Sequence, residues 1–320
     1  MPDEALYDLR GKRVWVAGHG GMVGSAIVRR LEREPCKVMT APRHRYDLRI
    51  QADVADWIAQ ARPDAIFLAA ARVGGIRANS ARPAEFIADN LMIQTNVIHA
   101  AWRAGVDRLL FLGSSCIYPR LSRQPMAESE LLSGALEPTN EWYAVAKIAG
   151  LKMCEAYRRQ YGCRFISAMP TNLYGPGDNF DLESSHVAAA LIAKAHRAKT
   201  RGDATLEVWG SGSPLREFLY VDDAADALVF LMKRYDGVTH INVGSGQEIS
   251  IADLARLVCR VVGFEGNIVF DASRPDGTPR KLLDISQMRS LGWTARTPLE
   301  AGLRRAYRWY VEHETERRAA

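Results

Sequence analysis

Two side chains four residues apart give the clearest chemical signal in this 320-residue chain. In Asn140-Glu-Trp-Tyr143-Ala-Val-Ala-Lys147, a helix would set Tyr143 and Lys147 on one face. A neighbouring ammonium stabilises a phenolate, so the tyrosine pKa is expected to fall from about 10 toward neutrality. Such a phenol delivers a proton to a carbonyl oxygen while hydride reaches the carbon. A serine at a strand end would hold the same oxygen, and Ser114 follows the apolar run in Phe111-Leu-Gly-Ser114-Ser115-Cys116-Ile-Tyr-Pro119. Taken alone, Tyr-x-x-x-Lys also fits an amphipathic helix with a surface lysine. The serine-tipped strand and an upstream glycine loop favour the chemical reading.

That loop is Val14-Trp-Val-Ala-Gly18-His-Gly-Gly21-Met-Val-Gly24-Ser25. It reads as strand, glycine turn and helix, with G-x-x-G-x-x-G spacing. Glycines permit a tight turn and close approach of a pyrophosphate, and the helix N-terminus offers unpaired N–H groups. Outside that setting, three glycines would be no more than a mobile loop. In NAD-binding chains a carboxylate about 20 residues on takes the ribose hydroxyls. Here the second apolar run ends Thr40-Ala-Pro-Arg43, with an arginine and no acid. A guanidinium can grip a 2′-phosphate through two parallel hydrogen bonds. Arg43 therefore favours NADP, the alternative being a solvated surface arginine. Asp47 and Leu48 fall close to where adenine would rest.

Positioning these groups requires a scaffold. Val14–Ala17, Lys37–Thr40, Ala65–Ala70, Leu109–Leu112 and Phe165–Ala168 read as buried strands separated by helical stretches. That alternation predicts an α/β fold, a Rossmann-type doubly wound parallel sheet with ligands at the carboxyl ends of its strands. After Pro170 the pattern changes. Asn172–Asp181 reads as a loop, about His186–Lys199 as a helix, Leu206–Trp209 as a strand, Gly210–Pro214 as a turn and Asp222–Lys233 as a helix. A strand at His240–Val243, a helix at Ile251–Val262, a strand at Ile268–Phe270 and a last amphipathic helix complete the chain. The expected division is a cofactor domain of residues 1–170 and 219–244 beside a smaller α/β substrate domain of residues 171–218 and 245–320.

Composition bounds the partners. Hydrophobic residues make up 48% and charged residues 25%, the balance of a globular chain and too apolar for a disordered one. The longest apolar run, Ala65–Ala71, is far shorter than a membrane span, so no membrane partner is expected. The opening Met-Pro-Asp-Glu does not resemble a secretory leader. Five scattered cysteines without a Cys-x-x-Cys pair argue against a disulfide framework and against a metal site, and suggest a reducing cytoplasm. The net charge of +5 suits a phosphate-bearing ligand or nucleic acid. The assignable cations favour small nucleotides, and no nucleic-acid partner is expected. Arg304, Arg305, Arg308, Arg317 and Arg318 read as a solvated helix face.

The glycine loop, Ser114 and Tyr143-x-x-x-Lys147 together resemble the extended short-chain dehydrogenase/reductases, which act largely on nucleotide sugars. Longer blocks narrow the resemblance: Val73-Gly-Gly-Ile76, Gln124-Pro-Met-Ala-Glu-Ser129, Pro138-Thr-Asn-Glu141, Pro170-Thr-Asn-Leu-Tyr-Gly175, Trp209-Gly-Ser-Gly212, Arg216-Glu-Phe218 and Asp276-Gly-Thr-Pro-Arg-Lys281. They are similar to members that epimerise GDP-4-keto-6-deoxy-D-mannose at C3 and C5 and then reduce C4 with NADPH. A 4-reductase or 4-epimerase of another GDP-sugar is the alternative, since one fold serves many sugars.

The resemblance assigns Cys116 and His186 as the base and acid of epimerisation, beside Ser114, Tyr143 and Lys147. On residue type alone, Cys116 would equally be a small core hydrophobe. A thiol next to cations is expected to titrate near neutrality. The resemblance also implies cofactor contacts at Gly18, Gly21, Met22, Val23 and Gly24, at Ala70 and Lys147, and at Pro170, Leu173 and His186. Lys194, Trp209, Arg216 and Lys281 are implied for the GDP-sugar, and Asn172 for either ligand. A homodimer is implied, through a bundle containing the Tyr143 helix. Three residues depart from the family pattern: Gly20 and Lys194 stand where relatives carry arginine, and Trp142 where many carry proline.

Overall fold

The structure is a computed structural model that describes residues 5–274 and 276–319, with side chains described as far as His313. The extreme ends of the expected domains, and the side chains of Arg317 and Arg318, lie outside these residues. The elements run β1 (Arg13–Ala17), α1 (Met22–Leu31), β2 (Lys37–Met39), α2 (Gln51–Ala61), β3 (Ala65–Leu68), α3 (Ile76–Ala81), α4 (Pro83–Arg103) and β4 (Arg108–Leu112). Next come α5 (Glu141–Tyr161), β5 (Arg164–Pro170), β6 (Asn172–Tyr174), α6 (Val187–Arg201), β7 (Thr205–Trp209), β8 (Leu215–Tyr220) and α7 (Val221–Arg234). The chain ends with β9 (Ile241–Val243), β10 (Glu248–Ser250), α8 (Ile251–Val262), β11 (Asn267–Asp271), β12 (Arg280–Lys281), α9 (Ser286–Ser290) and α10 (Leu299–Ala319).

Six parallel strands form the main sheet in the order β2-β1-β3-β4-β5-β9. Its strands are largely apolar because both faces are covered. In β1, Val14 and Val16 join the core under α1 and α7, while Trp15 and Ala17 join the core under α2, α4 and α5. The same alternation sends Leu110 and Leu112 one way and Leu109 and Phe111 the other. It is the period-2 geometry of a strand read from both sides. The order reverses between β1 and β3, which opens a crevice at their carboxyl ends.

A second body packs α6, α8 and α10 around their own apolar core. β8 is its organising strand, pairing antiparallel with β10 and parallel with β6 and β12. Residues 172–174, expected to be loop, are strand β6, because Asn172, Leu173 and Tyr174 ladder with Phe218, Leu219 and Tyr220. β8 itself has no counterpart in the expected elements. The adjacent charges of Arg216 and Glu217 interrupt the apolar character expected of a buried strand, yet Glu217 is fully buried. No described helix is long and apolar enough to cross a membrane.

Candidate active site

The glycine loop is shaped by steric necessity. Gly18 has φ +90°, and a Cβ there would lie 2.6 Å from the Ala70 nitrogen. A Cβ on Gly24 would lie 2.0 Å from the Gly18 carbonyl oxygen. Any larger residue would force apart β1, α1 and the loop after β3. Gly21 caps α1 without a side-chain hydrogen bond, and the first turn of α1 holds no acid. The loop thus presents free N–H groups and an uncompensated helix dipole, which suits a pyrophosphate. Met22 and Val23 form that first turn, and Ala70 closes the opposite wall. The Gly177 backbone crosses the turn, so that a Cβ on Gly177 would sit 3.5 Å from Met22 Cα.

Ser114 ends β4 and caps the single 3-10 turn Ser115–Ile117. Its Oγ accepts the Cys116 N–H at 3.4 Å, so the turn that begins on the serine buries the thiol directly beneath it. Tyr143 and Lys147 share a face of α5, as their spacing predicts. α5 is held close to α4 where Gln94 donates to the Ala146 carbonyl at 2.6 Å. The Phe86 ring meets Tyr143 edge-on at 6.3 Å. Lys147 Nζ donates to the Leu112 carbonyl at 2.8 Å and lies 5.8 Å from the Tyr143 ring. Tyr143 also exchanges a hydrogen bond with Ser114 and feels the charge of Cys116.

The electrostatics correct the expected titrations. Burial raises the Tyr143 phenol well above its usual value, with Cys116 adding and Ser114 opposing. Lys147 is also buried and is pushed down to about 8. Burial likewise raises the Cys116 thiol above its usual value, against the pull of Lys281, Ser114 and Lys147. Desolvation outweighs the nearby cations in each case. His186 caps α6 from a position that solvent reaches, walled by protein on most sides. That confinement, with the charge of Lys281, keeps its imidazole below the ordinary value.

Lys281 reaches this group from the second body. It is the register partner of Arg216 on β8, and its charge acts on both Cys116 and His186. Three residues that sequence reasoning left unassigned hold it there. Glu217 accepts the N–H groups of Gly246 at 2.6 Å and Leu283 at 3.0 Å. Gln124 Oε1 accepts the Leu282 N–H at 2.9 Å. Asn242 donates to the carbonyls of Met126 at 2.9 Å and Asp284 at 3.1 Å. The first two lie inside motifs already quoted, but nothing in residue type or spacing reveals bonds spanning 66 and 158 positions.

The remaining expected residues fall into two outer groups. Trp209, at the end of β7, is flanked by Lys194 Nζ and the Arg274 guanidinium, each 5.1 Å from its ring centroid. The following turn meets Arg216 through Asp276, which accepts the Ser211 N–H at 2.7 Å and the Arg216 Nη2 at 3.4 Å through its backbone carbonyl. Asn172 turns its amide to the Glu217 carbonyl at 2.8 Å, beside buried Pro170 and half-buried Leu173. Arg43, Asp47 and Leu48 lie apart from the proton-transfer groups, beyond the end of β2.

A glycine cradle at the sheet's switch point, with a serine, tyrosine and lysine at the next strand end, defines a nucleotide-dependent oxidoreductase or epimerase. The chain belongs to the NAD dependent epimerase/dehydratase family, whose model matches residues 14–244. It is 59% identical to the GDP-L-fucose synthase of Sinorhizobium fredii over 308 residues, 96% of this chain and 98% of that protein. To the GDP-L-fucose synthase of Escherichia coli it is 52% identical, with 95% and 98% covered. Its backbone matches the crystal structure of a GDP-L-fucose synthetase from Naegleria fowleri bound to NADP with a TM-score of 0.90. That match covers 98% of each chain at 28% identity.

Proposed function

We propose that the chain is a GDP-L-fucose synthase, converting GDP-4-keto-6-deoxy-D-mannose to GDP-L-fucose by epimerisation at C3 and C5 and NADPH-dependent reduction at C4. One observation carries the reading beyond plain reduction. The buried Cys116 thiol bears on the Tyr143 phenol and lies within the fields of Lys147 and Lys281. A reductase needs no such thiol.

The C4 keto group acidifies the C–H bonds at C3 and C5. Cys116, ionised with the help of Lys281 and Lys147, removes each proton in turn. His186 returns a proton to the opposite face of the carbon. Ser114 and Tyr143 hold the C4 oxygen throughout, which stabilises the enolate charge. NADPH supplies hydride to C4 when bound. Tyr143 then passes its phenolic proton to O4, and the Lys147 ammonium supports the phenolate left behind.

The cofactor's pyrophosphate rests on Gly18, Gly21 and Gly24, and Arg43 takes its 2′-phosphate. The domain of residues 1–170 and 219–244 holds the cofactor, and that of residues 171–218 and 245–320 the GDP-sugar. In the latter, Arg216 and Lys281 answer the diphosphate and Trp209 with Lys194 takes the nucleoside end. A homodimer forms through α4 and α5, whose outer face carries the stacked rings of Trp102 and Tyr161 at 4.4 Å. With five free thiols, a reducing cytoplasm keeps Cys116 competent.

The test is turnover of GDP-4-keto-6-deoxy-D-mannose with NADPH and with NADH, the product identified by NMR. GDP-L-fucose formed faster with NADPH is expected. A reduced product that keeps the original C3 and C5 configurations sinks the proposal.

A further inference from the structure

The carboxyl edge of β2 holds one carboxylate, Asp47, in a loop otherwise rich in cations. Arg43, His44 and Arg45 are exposed. Arg43 makes no ion pair among the described residues, and its charge reaches the Asp47 carboxyl. Left alone, an acid in this place would do two things. It would repel the 2′-phosphate of NADPH and compete for Arg43, and it would offer oxygens to the free ribose hydroxyls of NADH.

Arg49 prevents this. Its Nη2 lies 2.6 Å from Asp47 Oδ2, and its Nε lies 3.0 Å and 3.1 Å from the two carboxylate oxygens. Its backbone N–H adds a bond to Asp47 Oδ1 at 2.9 Å. Both oxygens of Asp47 are therefore occupied by one residue. Arg49 is itself braced by Asp89 at 3.5 Å, and Asp89 is fixed in turn by Arg72 at 2.6 Å. An exposed pair of this kind adds little to stability, so a stabilising role does not account for the bidentate arrangement.

The glycine loop sharpens the point. A Cβ on Gly20 would meet nothing within 4 Å. No cation from the glycine loop fills that space, so the charge at the end of β2 carries the discrimination.

We propose that Arg49 is a specificity-determining residue, which sequesters the Asp47 carboxylate and so leaves Arg43 free for the 2′-phosphate of NADPH. The inference rests on the assignment of Arg43 to that phosphate. Arg49 need not touch the cofactor: its effect passes through Asp47.

Equilibrium titration of cofactor fluorescence, without sugar substrate, tests this directly. Arg49→Ala is expected to weaken NADPH binding about tenfold at low salt and to leave NADH binding unchanged or slightly tighter. The loss should shrink as ionic strength rises. In an Asp47→Asn background, which takes any contact of Asp47 with the adenine into the reference, adding Arg49→Ala is expected to change NADPH affinity by no more than about threefold. Retained NADH binding shows that the pocket is intact. Unchanged NADPH affinity in Arg49→Ala overturns the proposal. So does a loss that persists in the Asp47→Asn background, because Arg49 would then act on the phosphate itself. Arg43→Ala separates the two levels. Weakened NADPH binding there, with none in Arg49→Ala, removes only the sequestration. Unchanged binding in Arg43→Ala removes the assignment and the inference with it.

Discussion

The two halves of the proposed reaction centre are built differently. Ser114 follows β4, and Tyr143 and Lys147 share a face of α5, a helix packed on the main sheet. Cys116, His186 and Lys281 come from a single 3-10 turn, a helix cap and a two-residue strand. Long-range bonds from Glu217, Gln124 and Asn242 hold the last of these in place. The first half is positioned within one body, where Lys147 reaches the Leu112 carbonyl and Gln94 the Ala146 carbonyl. The second exists only once both bodies have folded and docked.

Separating the two halves chemically should produce the largest effects. Cys116→Ser is expected to lower solvent-deuterium exchange at C3 and C5 by about 10³-fold, with NADPH binding retained. Exchange at the parent rate would remove Cys116 as the base. In the converse experiment, Tyr143→Phe should lower NADPH oxidation by about 10²–10³-fold while exchange continues. If both activities fall together, the halves are not separable and the comparison fails.

Titration gives smaller effects. Lys147, lowered to about 8 by burial, is cationic below that pH and loses its charge above it. The kcat/KM for reduction should therefore fall by up to about tenfold per pH unit on the alkaline side of 8. Lys147→Arg should remove that limb from the pH profile, since guanidinium stays charged.

The smallest effect concerns the segment that leads to His186. Asp178 is buried and raised to about 7, with burial outweighing its bond from the Asn179 N–H. The unfolded value is about 3.9, so the folded protein holds the proton more tightly. Stability then falls as pH rises from about 4 to 7, and the ionised carboxylate is a full burden above 7. Asp178→Asn should raise Tm by about 2–4 °C at pH 8, and the gain should fade toward pH 4. A gain that is the same at both pH values would show that ionisation is not its source.

The same contrast explains what could be read from the sequence. The main sheet was legible because its strands are short apolar runs covered on both faces, and Gly18, Gly24, Tyr143 and Lys147 because local geometry fixes their spacing. β6 and β8 were not, since their ladders join residues 46 positions apart, Asn172 to Phe218, and β8 opens with adjacent charges at Arg216 and Glu217. The placement of Cys116 and His186 rested on resemblance, because a lone cysteine and a lone histidine have no periodic signature. The titration of the thiol and phenol was misread from composition. The sequence displays the neighbouring cations but not the depth of burial, and burial decides the direction.

One tether in the second half is made entirely of main-chain atoms. The Gly75 N–H donates to the Ser184 carbonyl at 2.8 Å, fastening the segment before His186 to the loop after β3. A bond of this kind is insensitive to the identity of residue 184. The Ser184 side chain is engaged separately, donating to Asp181 and accepting from Asn179, each at 2.8 Å. Intolerance falls instead on Gly75, where a Cβ would come within 2.5 Å of the Ser185 carbonyl oxygen. The main-chain anchor thus places its strictest demand on the glycine side of the bond.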